Sequence, residues 1–232
     1  MRDGANIEYR AELIRKTIHF SSLSIPILYS ILSRSSALSI LVPLTFIALI
    51  IDFARLYHLP TGKIFEGIFG LILRPTEKSD FSEPARHRWK RLNGATNLLI
   101  AATVCVLIFP KFIVVTSFAI LIVSDSVAAV IGRRWGRRKF LAKSLEGSLA
   151  FLLSSILVVL ATPKIFYSTG EYAIGVVAAV VGTFIEASSL PIDDNITLPI
   201  GVGAAMWGLY TLFYPSFPEL LGGSYLRFAL GL

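Results

Sequence analysis

The sequence predicts an all-α integral membrane protein with about seven transmembrane helices and one cytoplasmic interfacial helix. Three observations carry that prediction. Of 232 residues, 54% are hydrophobic and only 16% charged, against roughly 25% charged in soluble globular domains. Seven apolar stretches, at about 17–33, 37–53, 96–109, 112–131, 148–162, 172–190 and 198–214, approach the ~20 residues that a bilayer-spanning helix needs. Lys and Arg are confined almost wholly to alternate connections between those stretches, the asymmetry that sets membrane topology.

The segment before the first stretch carries Glu8 and Glu12 beside its basic residues, so that stretch reads as a retained helix and not a cleaved leader. The N-terminal segment and the connections after stretches two and four hold all but four of the 22 Lys and Arg; the exceptions are Arg34, Lys111, Lys164 and Arg227. The N-terminus and loops 2–3, 4–5 and 6–7 are therefore expected on the cytoplasmic side. In the longest connection, 54–95, KIFEGIFGLILR places Ile64, Phe65, Ile68, Phe69 and Ile72 at helical spacing, the pattern of a helix lying in the interface. Pro75 is expected to stop it. The charged loop that follows turns Arg86, Arg88, Lys90 and Arg91 toward anionic lipid. No connection is long enough for a second domain, so residues 1–232 read as one membrane-embedded unit. Cys105 is alone, which excludes a disulfide framework and a cysteine metal site. The expected surroundings are the lipid bilayer, with no nucleic-acid partner.

An ionisable side chain at the centre of a membrane helix costs on the order of 2.5–3.5 kcal/mol, so each calls for a reason. Asp125 lies about six residues before the inner end of the fourth stretch, roughly 9 Å below the cytoplasmic surface at ~1.5 Å per residue. Glu186 lies about four residues from the inner end of the sixth, roughly one helical turn. The same topology brings His19, Asp52, Asn93, Asn97 and the 193–195 run Asp193, Asp194 and Asn195 to that level. The outer side is almost bare by comparison, and the pattern describes a polar cavity open to the cytoplasm.

Around Asp125 the chain reads SDSVAAVIGRRWGRRKFLAKSLEGS, residues 124–148. Gly132 and Gly136 are four apart, so on a continuing helix they share a face that admits either another helix or a ligand's phosphate. Arg133, Arg134, Arg137, Arg138, Lys139 and Lys143 surround that face, as a topology signal or as cationic donors. A polyphosphate needs such donors and usually Mg²⁺ held by carboxylates. Asp125, with Glu186, Asp193 or Asp194, is the candidate metal set.

These residues, with RKTIH (15–19), LRPTEKS (73–79), LNGATNLL (92–99) and DDNITLPI (193–200), resemble the CTP-dependent lipid-alcohol kinases. That family includes dolichol kinase, phytol kinase and the CTP-using diacylglycerol kinase of yeast. The resemblance implies transfer of the γ-phosphate of CTP, with Mg²⁺, to the hydroxyl of a polyprenol, dolichol, phytol-like alcohol or diacylglycerol at the cytoplasmic face. It implies nucleotide contacts by Asp125, Gly132, Gly136, Lys143, Glu146 and Gly147. Arg133, Lys139 and Ser144 on the same stretch, and Asn93 and Asn97 at the same level, are counted with them. Catalysis is expected from Asp125, Lys143, Glu186 and His19, with Lys16, Asp52, Glu77 and Asn195 in support. The central block also resembles part of CDP-diacylglycerol synthase, so a phosphatidate cytidylyltransferase is the alternative. That family's closing Gly- and Asp-rich segment is missing from EASSLPIDDNITLPI (186–200), which favours a kinase. An ion transporter is the more distant reading, since it predicts polar residues on both sides of the membrane.

Overall fold

The computed structural model describes residues 14–70, 73, 76–82, 84, 87–88, 91–188 and 190–214. The expectations placed on Glu8, Glu12, Ile72, Pro75, Arg86, Lys90 and Arg227 lie outside the described residues. After a helical segment at 14–21 come α1 (Ser24–Ile31), α2 (Arg34–Tyr57), α3 (Leu59–Phe69), α4 (Gly94–Ile108) and α5 (Lys111–Trp135). A hairpin of β1 (Lys139–Phe140) and β2 (Lys143–Ser144) leads into α6 (Leu145–Ala161), α7 (Thr169–Ala187) and α8 (Asp194–Phe213). Five of these helices start on a short polar side chain that accepts a backbone N–H. Ser33 serves α2, Asn93 α4, Ser144 α6, Asp193 α8, and Ser168 with Glu171 forms a capping box on α7.

α5 runs through the middle of the bundle, where Ile113, Phe118, Ile120, Leu121 and Ile122 are fully buried. Its first half packs on α1 and its second half on α6, while α7 lies against α6 and α8, and α4 against α2 and α8. Thr45 on α2 and Thr103 on α4 meet hydroxyl to hydroxyl at 2.8 Å. The outward row Leu149, Leu153, Leu157 and Leu160 on α6 is exposed, the face that hydrocarbon solvates in a membrane helix.

The fold is all-α apart from the short hairpin, with the long apolar helices of a multi-spanning membrane protein, but the expected seven spans need correction. Among the described residues four helices are long and apolar enough to cross a membrane: Arg34–Tyr57, Lys111–Trp135, Thr169–Ala187 and Asp194–Phe213. Gly94–Ile108 and Leu145–Ala161 are apolar but shorter, at 15 and 17 residues, about 22 and 25 Å at 1.5 Å per residue against a core of about 30 Å. The first expected span is interrupted. Pro26 lacks the N–H that would bond the carbonyl of Ser22, and the chain turns at 22–23 through bonds from Ser22 N to His19 O and Leu23 N to Phe20 O, each 3.0 Å.

The helix expected in the long connection is present as α3, but it ends at Gly70, before Pro75 is reached. Its apolar stripe divides: Ile64 and Ile68 are exposed, whereas Phe65 and Phe69 line a cavity.

The end of the bundle away from Asp125 and Glu186 carries charged side chains as well. Arg34, 4% exposed, donates to the carbonyls of Val106 (2.5 Å), Leu107 (2.9 Å) and Phe109 (3.1 Å) at the end of α4. Lys111 donates to Leu32 O at the end of α1 at 2.7 Å, and buried Lys164 to Val159 O and Thr162 O at the end of α6 at 2.6 and 2.7 Å. Burial pushes the Lys164 ammonium below the ordinary lysine range. Glu171 accepts from the amides of Ile165, Phe166 and Ser168 and from the Tyr210 hydroxyl. These charges satisfy helix ends that have neither intrahelical partners nor, in a membrane, water. Arg34→Met should therefore cost at least about 3 kcal/mol, since three hydrogen bonds to a charged group are lost and each contributes ~1.5–3 kcal/mol. Thermal unfolding in detergent is the measurement, and Arg34→Lys should recover only part, because one ammonium cannot reach all three carbonyls.

Candidate functional site

Two charge clusters form at the opposite end of the bundle. Lys143 Nζ donates to Glu186 Oε1 at 2.8 Å and lies 3.2 Å from Asp194 Oδ2. Three elements converge there. Leu141 adopts φ 51° in the two-residue loop of the hairpin, whose register pairs Phe140 with Lys143. The amide of Ala142 is tied to Ala187 O at 2.9 Å, so the hairpin is fastened to the end of α7 and delivers Lys143 to the carboxylates of α7 and α8. Burial works against the Lys143 charge, but the carboxylates of Asp194 and Glu186 outweigh it and hold its pKa above the ordinary lysine range. Glu186 is only 3% exposed, and its Oε2 has no hydrogen-bond partner among the described residues.

The second cluster is Asp125, which takes an ion pair from Lys16, with His19 Nε2 3.8 Å from the same oxygen. A π-helical turn, Ile120–Ser124, immediately precedes Asp125, a feature that often marks functional positions in helices. Asp125 and Lys143 also interact across the gap between the clusters, so the two form one charged neighbourhood.

A third group, fully buried, supports both. Asp52 and Arg55, each 0% exposed, pair at 2.8 Å. Asp52 accepts from Asn93 N at 2.9 Å and Asn93 Nδ2 at 3.1 Å. Arg55 donates to the carbonyls of Glu77 and Arg91, which fastens the 77–91 connection to α2. Glu77 Oε1 accepts from Gly94 N at 3.2 Å, and Asn195 Nδ2 donates to Gly94 O at 3.3 Å. The D-x-x-R spacing of Asp52 and Arg55 at a helix end was a readable signal for the pair; only Asp52 had been singled out.

The glycines have a different setting. α5 ends at Trp135, so the helix does not continue through Gly136. A β-carbon on Gly132 would lie 3.0 Å from Ser144 Oγ and 3.4 Å from Gly147 Cα, and one on Gly147 3.2 Å from Gly132 Cα. Gly132, Gly136 and Gly147 thus enclose Ser144, which caps α6 by accepting from Gly147 N. This is close helix approach. Glu146 accepts from the amides of Arg137 and Arg138, and Arg137, Arg138 and Lys139 are exposed.

Two cavities lie beside these clusters. One, of about 460 Å³, is bounded by Thr76, Asn97, Lys143, Pro191, Asp193 and Asp194. The other, of about 360 Å³, is mostly apolar: Ile18, Phe65, Phe69, Leu73 and Leu98 line it, together with Lys16, His19, Asn93 and Asp125. Glu77 lines both. Of the expected site residues, Asp52, Gly132, Arg133, Gly136, Lys139, Ser144, Glu146, Gly147 and Glu186 line neither cavity. The four expected metal ligands are also divided: Asp125 holds Lys16, Glu186 and Asp194 share Lys143, and Asp193 caps α8 by accepting from Asn195 N. Among the described residues no three His, Cys, Asp or Glu gather to hold a metal by themselves. Phe65, Phe69, Thr76 and Pro191 were missed as lining residues, because apolar and neutral side chains carry no signal of their own in a sequence this hydrophobic.

Comparison with known proteins gives distant relatives. The chain is 27% identical over 217 residues to an uncharacterised protein of Rickettsia prowazekii, covering 92% of this chain and 98% of that one. It is 31% identical over 94 residues to the phytol kinase of a Synechocystis species, covering 36% of this chain and 38% of that enzyme. An uncharacterised protein of Methanocaldococcus jannaschii is 38% identical over 87 residues, 35% of this chain and 41% of that one. No family model and no solved structure matches the chain. The chain is a distant, partial relative of a lipid-kinase-like protein.

Proposed function

We propose that this membrane protein transfers the γ-phosphoryl group of CTP to the hydroxyl of a membrane lipid alcohol. The observation that carries the reading is the pair of cavities with a common wall: a polar one beside Lys143 and the carboxylates of α7 and α8, and an apolar one walled by Phe65, Phe69 and Leu98. Phosphoryl transfer needs a charged donor and a greasy acceptor held in line, and is driven by positioning and charge stabilisation. The partial similarity to phytol kinase supports the acceptor class, and the resemblance of residues 124–148 to CTP-using enzymes supports the donor. The Lys and Arg distribution supports a cytoplasmic site.

Mg²⁺ fits the residues present. The buried Glu186 Oε2, which has no hydrogen-bond partner among the described residues, and the Asp194 carboxylate beside Lys143 are hard oxygen donors, and Mg²⁺ is ordinarily held by one or two carboxylates plus substrate phosphates. When bound, the ion neutralises charge on the transferring and leaving phosphates. Lys143 then binds a phosphate oxygen as a point charge, Lys16 and His19 hold Asp125 in place, and the aromatic wall of the apolar cavity excludes water from the acceptor.

The test is turnover by purified protein in nanodiscs of neutral phospholipid, supplied with CTP or ATP and a panel of phytol, polyprenol and diacylglycerol. Lipid labelled from γ-phosphorus of CTP is the expected result. Lipid labelled from α-phosphorus would make the protein a cytidylyltransferase, and no labelled lipid with any pair would overturn the reading.

A further inference from the structure

We infer that Glu77 is the general base that activates the acceptor hydroxyl, a role that rests on the two-cavity reading above. Among the described residues it is the one side chain that lines both cavities, so it stands where an alcohol from the apolar side and a phosphate from the polar side must meet. It is only 9% exposed, which keeps bulk water from competing for the proton.

Its placement is built from three directions. The carboxylate is oriented by the Gly94 amide on Oε1 at 3.2 Å. Its own carbonyl is held by the Arg55 guanidinium, itself locked to Asp52 inside the fold. Two residues on, the amide of Ser79 is held by Glu66 Oε1 of α3 at 2.6 Å.

The step balances without a further reactant. As the lipid oxygen forms its bond to the γ-phosphorus, its proton passes to the Glu77 carboxylate. The bond from that phosphorus to the bridging oxygen breaks, and its electron pair leaves on the nucleoside diphosphate beside Lys143. The proton then passes from Glu77 to water.

Glu77→Gln tests this, because glutamine keeps an oxygen for the Gly94 amide and removes the base. A positioned base contributes about 10²–10⁴-fold, so kcat should fall by that factor while the nucleotide KM and the thermal midpoint stay near wild type. An acceptor alcohol fluorinated beside its hydroxyl, and so more acidic, should recover Glu77→Gln far more than wild type, which a structural role would not produce. Wild-type kcat in Glu77→Gln overturns the inference while leaving the kinase reading intact. Inactive wild-type protein overturns the kinase reading and this inference with it. If Glu77→Gln fails to fold, Glu77→Asp decides: folded with a depressed kcat supports the role, and folded with wild-type kcat overturns it.

Discussion

Lys143→Met should reduce turnover by about 10²–10³-fold, the usual loss when a preorganised donor to a developing charge is removed. The ammonium sits between Glu186 and Asp194 at 2.8 and 3.2 Å, on a hairpin fastened to Ala187 O. Methionine keeps the length of the side chain and removes the charge, leaving two carboxylates facing each other. Breaking a fully buried pair costs about 3–5 kcal/mol; the Lys143 side chain is 36% exposed, so solvent screening should reduce the loss to about 1–2 kcal/mol. A double variant separates the two effects. Lys143→Met with Glu186→Gln should regain stability by thermal unfolding, yet remain inactive in the label-transfer assay. Recovery of activity in the double variant would reduce Lys143 to a counter-ion for Glu186 and would also remove Glu186 from the metal set.

Asp125→Asn should lose turnover by a comparable factor, and it should also weaken the protein. The sequence alone suggests a variant that folds normally, because asparagine preserves shape. The structure changes that expectation. Asp125 is the anion for Lys16, whose side chain is only 12% exposed, and amidation leaves that ammonium on the wall of an apolar cavity without its partner. The 14–21 segment is held to the bundle in part by this pair, so limited proteolysis near residue 14 should accelerate in Asp125→Asn. Adding Lys16→Met should restore resistance to the protease. If that double variant also restored turnover, Asp125 would be a fastening for the N-terminal segment and would have no part in the chemistry.

Several features were legible before any tertiary structure. Apolar runs give the helices, because hydrophobic length is a local, one-dimensional property that a bilayer reads directly. The caps Ser33, Asn93, Ser144 and Asp193 are local in the same way, since a side chain bonds an amide two or three residues on, although none of the four had been singled out as a cap. The gathering of Asp125, Glu186, Asn93 and the 193–195 run at one end follows from counting helix lengths between charged loops. The broken first helix was legible too, at Pro26, but was read through.

What the tertiary structure decided is who meets whom. Lys143 could have served phosphate alone or carboxylate; the hairpin, fastened to Ala187 O, gives it to Glu186 and Asp194. Gly132 and Gly136 could have admitted a ligand or a helix, and Ser144 and Gly147 fill the space. Arg34, Lys111 and Lys164 are isolated charges in the sequence, and each sits on the carbonyls at a helix end. Glu77 became prominent only because two cavities formed on either side of it. The physical reason is common to all four. Burial and ion pairing fall off within a few ångströms, so they depend on the approach of segments as much as 100 residues apart, whereas helix formation and membrane partitioning depend on neighbours along the chain.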